Sequence, residues 1–150
     1  MKIRKATYDD VETLNHLLTL LIRDERQYNS AINENFTVIN MYENYIEDLS
    51  RLIIVAEKEG KIAGYLYGYL LPTDDSYKYK VSKLDALYVN SEYRQSGVAT
   101  ALIQYFKEWS KSNHVKSIEV GVCSNNQKAK NLYTKQNFET QMETMITYLD

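Results

Sequence analysis

The feature that most constrains the fold is a strand, a turn rich in small residues and a helix that follow one another between residues 82 and 109. Leu84 to Val89 is an apolar run of residues that suit a β-strand, and it ends at the turn-prone pair Asn90-Ser91. From Val98 the apolar residues recur at three- and four-residue spacing, which predicts an amphipathic helix. A helix start leaves N–H groups unpaired and carries the positive end of the helix dipole. Because Gly97 lets the backbone approach a ligand there, the stretch predicts a site for phosphate oxygens.

The composition is typical of a soluble globular protein that binds a small molecule. The chain has 150 residues, enough for a substantial core, and we expect a single domain over residues 1–150. A formal net charge of -2 gives no cationic excess for nucleic-acid binding. No apolar run is long enough for a membrane span or a signal peptide, and the single cysteine, Cys123, cannot form an internal disulfide. We therefore expect a cytoplasmic protein whose partners are neither nucleic acid nor membrane.

The order of predicted elements indicates a mixed sheet. The predicted strands are 2–7, 51–56, 62–71, 84–89, 115–122 and 138–149, and the predicted helices are 11–26, 38–49, 98–112 and 126–135. Three successive strands with short connections are largely antiparallel, whereas strand, helix and strand from 82 to 122 form a right-handed parallel crossover. We therefore expect an α/β (α+β) fold, a mostly antiparallel sheet of about six strands with one parallel pair and about four helices.

A small-residue turn before a helix is a weak signal by itself, because several unrelated folds bind phosphates in this way. Two such folds do not fit this chain. A P-loop needs a Lys followed by Ser or Thr after its second Gly, and Gly97-Val98-Ala99-Thr100 has no such Lys. A Rossmann fold has its Gly-rich turn after the first strand of a parallel sheet, whereas this turn follows the fourth strand of a mostly antiparallel one.

Two segments of the C-terminal half each match a longer motif. The first is Glu92-Tyr93-Arg94-Gln95-Ser96-Gly97-Val98-Ala99, which fits the core pattern Arg/Gln-x-x-Gly-x-Gly/Ala. The second is Asn126-Gln127-Lys128-Ala129-Lys130-Asn131-Leu132-Tyr133-Thr134-Lys135-Gln136-Asn137-Phe138, which fits Asn-x-x-Ala-x-x-Leu-Tyr-x-x-x-Gly-Phe. In this order they resemble the acyl-coenzyme-A motif and the second signature of the GNAT superfamily of N-acetyltransferases. Asn137 replaces the family's Gly, and Asn is the residue that best tolerates the left-handed backbone expected there. The resemblance implies the GNAT fold, in which the central strand splays from the next parallel strand.

The resemblance also implies acetyl-coenzyme A as co-substrate and no metal. Its pyrophosphate would be held by the backbone N–H groups of Gln95, Ser96, Gly97, Val98, Ala99 and Thr100. The Arg94 side chain would support this contact. Leu87 and Val89 would pair with pantetheine like an added strand, and the Leu87 N–H would donate to the oxyanion of the tetrahedral intermediate. Asn126 would contact the cofactor, although a role as helix cap is equally plausible.

The resemblance places a catalytic acid at Tyr133, since a phenol can protonate the departing coenzyme A thiolate. A packed ring with its hydroxyl at the surface is the structural alternative. The general base stays open. Asp85 lies two residues before Leu87, so both share one face of the strand unless a bulge intervenes, and an ion pair is an equally good role for it. Glu119 and a water molecule are the other candidates.

The implied function is transfer of an acetyl group from acetyl-coenzyme A directly to a primary amine in a ternary complex. The segments expected to hold the amine contain Asp24, Glu25, Glu34, Glu43, Glu47, Asp48, Asp74 and Asp75, together with Tyr28, Tyr42, Tyr45, Tyr77 and Tyr79. Such a surround suits a small cationic amine, such as a polyamine or an aminoglycoside, or a lysine or N-terminal amine. The final strand offers an edge for a homodimer. The alternatives are a non-catalytic acyl-coenzyme-A sensor or interaction module on the same fold, and a nucleotide-phosphate binder without acyl chemistry.

Overall fold

A computed structural model describes all residues from 1 to 150 and shows one five-stranded sheet in the order β1-β2-β3-β4-β5. The strands are β1 (Lys2–Lys5), β2 (Arg51–Lys58), β3 (Lys61–Leu70), β4 (Val81–Val89) and β5 (Ser117–Val120). The α-helices are α1 (Val11–Glu25), α2 (Val98–Ser112) and α3 (Gln127–Lys135). Neighbours from β1 to β4 are antiparallel, and β4 and β5 are parallel. The predicted mixed sheet with one parallel pair is confirmed, with five strands and three helices. No helix has the length and apolar character needed to span a membrane.

The sheet carries an apolar core on each face. Successive residues of β2 alternate between the two, so that Val55 packs with α1 and Ile54 packs with α2. Burial on both sides explains why β2 and β3 read as continuous apolar runs. Gly68 of β3 lets α2 pack closely, since a Cβ there would lie 2.4 Å from the ring of Phe106.

Residues 38–49, which were predicted to form a helix, are a loop with one short 3-10 turn at Tyr42–Asn44. The loop is anchored by α1, because the Tyr42 N–H donates to Asn15 Oδ1 at 3.4 Å. Tyr42 is fully buried, and its hydroxyl lies 2.9 Å from that of Tyr65. The helix prediction for residues 38–49 is wrong. The sequence of this segment could not show that the side chain of Asn15 in α1 accepts the hydrogen bond that a helix would have supplied.

The final strand predicted at 138–149 is also absent. After α3, Asn137 has the expected left-handed conformation with φ of 70°, and the Phe138 N–H donates to the Tyr133 carbonyl at 2.9 Å. Beyond that point the C-terminal segment, residues 139–150, makes no backbone hydrogen bond. Five large apolar side chains on it are 72% to 91% exposed: Met142, Met145, Ile146, Tyr148 and Leu149. The strand-like pattern therefore has no partner strand within one copy of the chain.

Candidate functional site

The turn between β4 and α2 presents a run of unpaired backbone N–H groups. Gln95 and Gly97 have positive φ values of 60° and 85°, which bend the chain before the helix begins. None of the N–H groups of residues 95–100 donates to a backbone carbonyl. The side chain of Val98 is buried in the apolar core on the α2 side of the sheet, called the α2-face core, and fixes the turn there. A Cβ on Gly97 would lie in open space, with no atom within 4 Å other than those of the adjoining residues. Free N–H groups, a helix start and open space together suit a pyrophosphate.

Arg94 ties this turn to the neighbouring elements. Its Nε donates to the Val89 carbonyl at 2.9 Å, and its Nη2 lies 3.8 Å from Asp24 Oδ2 near the end of α1. The guanidinium also lies 5.5 Å from the centre of the Tyr88 ring. One backbone group predicted to pair with pantetheine, the Val89 carbonyl, therefore already has a donor within the chain. A phosphate contact of Arg94 stays a prediction.

β4 and β5 pair only over the first part of β4. The parallel register runs from Val81 opposite Ser117 to Leu84 opposite Val120. β4 continues to Val89 with no partner on that side. The end of pairing at Leu84 agrees with the predicted splay of the parallel strands. It leaves an exposed strand edge with which an extended ligand could pair.

A bulge in β4 separates Asp85 from Leu87. The pairing with β3 steps from Tyr67 opposite Ala86 to Gly68 opposite Leu84, so Asp85 is an extra residue. Leu87 packs on the α2-face core, while Asp85 lines a cavity with Tyr67 on the α1 side. The expectation that both residues share one face required a regular strand, and the bulge overturns it. The side chains of Asp85 and Leu87 therefore lie on opposite sides of the sheet, while the Leu87 N–H stays at the strand edge.

The Asp85 side chain reaches solvent, yet its pKa is raised above the ordinary value. Partial removal from water is the largest cause, and the positive charges of Lys83 and Arg51 act in the opposite direction. No side chain hydrogen-bonds its carboxylate. A free carboxylate with a raised pKa is better suited to accept a proton than an ordinary surface Asp. This environment supports the candidate base and disfavours the ion-pair alternative.

Glu25, the last residue of α1, belongs to the same site. Burial raises the pKa of its carboxyl, and the charges of Asp85 and Asp24 raise it further. Sequence reasoning counted Glu25 only among the acidic residues near the acceptor and did not consider it as a proton carrier. In the structure the last two residues of α1 are the acids Asp24 and Glu25, although a helix C-terminus favours cations. Acids at that position suggest a role outside helix stability.

Tyr133 lies on α3 with its ring packed edge to face on Phe138, the centroids 5.4 Å apart. Its pKa is raised, first by burial and then by the Glu25 carboxylate, so the phenol holds its proton more tightly than an ordinary tyrosine. No side chain hydrogen-bonds the hydroxyl. The negative charge of Asp85 raises the pKa of Glu25, and that of Glu25 raises the pKa of Tyr133. α1 packs against β4. A protonated phenol without a partner can donate a proton.

Two other predicted residues have structural roles. The Asn126 side chain accepts a hydrogen bond from the Ala129 N–H at 3.1 Å and caps α3, so its role as a helix cap is confirmed and the cofactor contact stays a prediction. Glu119 is exposed and lies 3.9 Å from Lys83 Nζ across the β4–β5 pair, which leaves it less free than Asp85 to act as a base. No group of three or more His, Cys, Asp or Glu side chains could hold a metal ion.

Comparison with known families agrees with this geometry. The model of the acetyltransferase (GNAT) family matches residues 15–138, which include the N–H-rich turn, the splayed strands and α3. The chain belongs to the GNAT family. This GNAT protein is therefore an N-acetyltransferase.

Solved structures with the GNAT fold cover 80% to 99% of the chain. A mutant of the BH1408 protein from Bacillus halodurans is 22% identical, with a TM-score of 0.89 and 99% of both chains covered. The aminoglycoside acetyltransferase meta-AAC0020 from an uncultured soil metagenomic sample is 18% identical, with a TM-score of 0.73, covering 99% of this chain and 96% of that one. An acetyltransferase from Vibrio fischeri is 28% identical, with a TM-score of 0.66, covering 80% of this chain and 94% of that one. No curated protein sequence matches the chain.

Proposed function

We propose that this GNAT protein transfers an acetyl group from acetyl-coenzyme A directly to a primary amine within a ternary complex. The observation that carries the proposal is the run of unpaired N–H groups at residues 95–100 beside the unpaired edge of β4. The N–H groups would hold the pyrophosphate, and the β4 edge at Leu87 and Val89 would pair with pantetheine. Open space at Gly97 fits a phosphate close to the backbone.

The side chains around this edge supply the proton transfers that acetyl transfer to an amine requires. Asp85 would take a proton from the ammonium, directly or through water, which frees the nitrogen lone pair to attack the acetyl carbon. The Leu87 N–H would stabilise the negative charge that develops on the acetyl oxygen. As the carbon–sulfur bond breaks, Tyr133 would give its proton to the leaving sulfur, and the tyrosinate would then take the second proton of the acylated nitrogen, which leaves a neutral amide and free coenzyme A thiol.

The direct test measures free thiol release from acetyl-coenzyme A with a panel of primary amines. We expect thiol release that depends on the amine, and an acetylated amine in equal amount by mass spectrometry. A non-catalytic acyl-coenzyme-A sensor would bind acetyl-coenzyme A, seen as a rise in melting temperature, and release no thiol with any amine. A nucleotide-phosphate binder would be stabilised as much by ATP as by acetyl-coenzyme A.

We also propose that the protein forms a homodimer through its C-terminal segment. Residues 139–150 have unpaired backbone groups and exposed apolar side chains, and β5 is an edge strand with one unpaired side. A strand with free N–H and C=O groups pairs readily with a free sheet edge. The segment of one copy would therefore pair with β5 of the other and complete a sixth strand in each sheet.

A further inference from the structure

A cavity of about 420 Å³ opens beside Asp85 on the α1 side of the sheet. Its walls contain the rings of Tyr45, Tyr67 and Tyr69, several apolar side chains, and two charged groups, Asp85 and Arg51. The volume lies within the range of small-molecule sites, and aromatic walls with few polar groups are typical of them. Because the proposed base is part of its wall, the cavity is the natural place for the acceptor amine.

Arg51, the first residue of β2, is held in one orientation at this cavity. Its Nε donates to Asp48 Oδ2 at 3.1 Å, and its Nη1 donates to the Tyr67 hydroxyl. The guanidinium carbon lies 4.0 Å from the centre of the Tyr45 ring and 5.4 Å from that of Tyr69. A cation fixed between aromatic rings loses little freedom when a ligand binds.

The guanidinium still has hydrogen-bonding capacity to offer. Its Nη2 has no side-chain hydrogen bond, unlike Nε and Nη1. Asp48 binds the guanidinium through Oδ2 alone, because its Oδ1 accepts bonds from the Ser50 N–H and hydroxyl at 2.9 and 2.7 Å. A planar guanidinium matches a carboxylate in shape and charge, and it repels a second ammonium. The cavity thus offers an anion at Asp85 and a cation at Arg51.

We propose that the acceptor is a primary amine that also carries a carboxylate, with the carboxylate bound by Arg51 and the amine facing Asp85. This assignment rests on the proposed acetyl transfer and narrows its acceptor. It favours amino acids and similar zwitterions over polyamines and aminoglycosides, whose further ammonium groups would meet the fixed guanidinium. A carboxylate suits the site better than a phosphate dianion, because Asp48 already offsets part of the single positive charge.

The test compares unbranched ω-amino acids with the alkylamine and the α,ω-diamine of equal chain length. We expect kcat/KM for thiol release to be at least about tenfold higher for the best amino acid than for its alkylamine, and lowest for the diamine, as a charge-assisted hydrogen bond predicts. In Arg51→Gln the preference should fall to about onefold, and Arg51→Lys should restore part of it. Lys111→Gln, which removes an exposed cation at the end of α2, should keep the wild-type preference.

Binding of the same compounds by calorimetry separates this inference from the proposed reaction. The wild-type protein should bind the amino acid more tightly than the alkylamine, and Arg51→Gln should bind both alike. A wild-type preference for the diamine, or an unchanged preference in Arg51→Gln, would overturn the assignment of Arg51. If the binding preference is present but no thiol is released with any amine, the acceptor site stands and the acetyl transfer is wrong.

Discussion

Arg94 Nε and the Val89 carbonyl oxygen lie 2.9 Å apart, so the residue that opens the N–H-rich turn also holds the end of β4. This bond sets the position of the turn relative to the strand edge. The same guanidinium lies near Asp24 of α1, so the bond also connects the turn to the helix that carries Glu25. Arg94 is therefore a positioning residue for the turn and for the end of β4.

Arg94→Ala should weaken acetyl-coenzyme A binding by about tenfold, because both a phosphate-side charge and the anchor of β4 are lost. Calorimetry with acetyl-coenzyme A measures the change. Arg26→Ala, which removes an arginine paired with Glu34 beyond α1, is the matched control and should bind normally. Equal affinity of the two variants would show that Arg94 serves only as a surface charge.

Gly97→Ala should lower both stability and acetyl-coenzyme A affinity. A non-glycine residue held at φ of 85° costs about 1–2 kcal/mol, and the new methyl group would point into the phosphate site. Gly60→Ala is a matched control, since Gly60 lies in the β2–β3 turn at φ of 76° and also has open space at its Cβ position. Both variants should lose similar melting temperature, and only Gly97→Ala should lose affinity. Loss of affinity in both would point to general destabilisation.

Tyr133→Phe should reduce kcat by about 100-fold or more, because the leaving thiolate loses its proton donor, while the affinity for acetyl-coenzyme A changes little. Steady-state thiol release and calorimetry on the same preparation give the two quantities. Tyr105→Phe removes a hydroxyl from a partly buried tyrosine of α2 and should leave kcat unchanged. A Tyr133→Phe enzyme with full turnover would remove this residue from the mechanism.

A general base makes activity rise with pH as it loses its proton, and Asp85→Asn should abolish this rise. The same substitution should stabilise the protein at neutral pH. The folded-state pKa of Asp85 is raised, so the charged form is disfavoured in the folded protein, and this penalty grows as pH rises through that pKa. The gain in melting temperature should therefore fade as the pH is lowered towards the ordinary Asp pKa. Asp48→Asn is the opposite control, since the pKa of Asp48 is lowered by the Ser50 and Arg51 hydrogen bonds and its charge favours folding. A neutral-pH loss of stability in Asp85→Asn would contradict the raised pKa.

Met142→Lys combined with Ile146→Lys should convert the proposed dimer into a monomer, because two charges would be buried where the C-terminal segment of one copy packs beside β5 of the other. Light scattering after size-exclusion chromatography gives the mass of each form. Gln127→Lys combined with Thr134→Lys adds the same charge on exposed positions of α3 and should stay dimeric. A monomeric wild-type protein would refute the strand exchange.

Local patterns in the sequence predicted the parts of the site that are built from consecutive residues. The turn around Gly97 and the cap at Asn126 depend on backbone geometry that their own residue types encode. The helix expected at 38–49 failed because its hydrogen-bond partner, Asn15, lies on another element. The prediction of a final strand was wrong for a related reason. A strand must pair with the edge of another strand, and an apolar pattern does not indicate whether such an edge is present.

The missed parts of the site depend on tertiary contacts. The sequence around Asp85 does not indicate a bulge, because the bulge shows only in the pairing of Ala86 with Tyr67 and of Leu84 with Gly68. In the sequence Arg51 is an ordinary strand residue, and its role depends on its contacts with the Tyr45 ring and the Asp48 carboxylate in the folded protein. Glu25 differs from them in one respect, because an acid near the C-terminus of a helix is unfavourable and so suggests another role.

The bulge at Asp85 has a consequence for how the two substrates can change independently. With one extra residue, β4 places the Leu87 side chain on the α2 side of the sheet and the Asp85 carboxylate on the α1 side. Under the proposed function, substitutions in the wall formed by Tyr45, Arg51 and Tyr69 would alter acceptor choice without touching the residues proposed to hold the pyrophosphate. A deletion of one residue from β4 would do the reverse, because it would shift every later side chain to the opposite face. We therefore expect new acceptor preferences to arise by substitution in this cavity, and a change in the length of β4 to abolish activity.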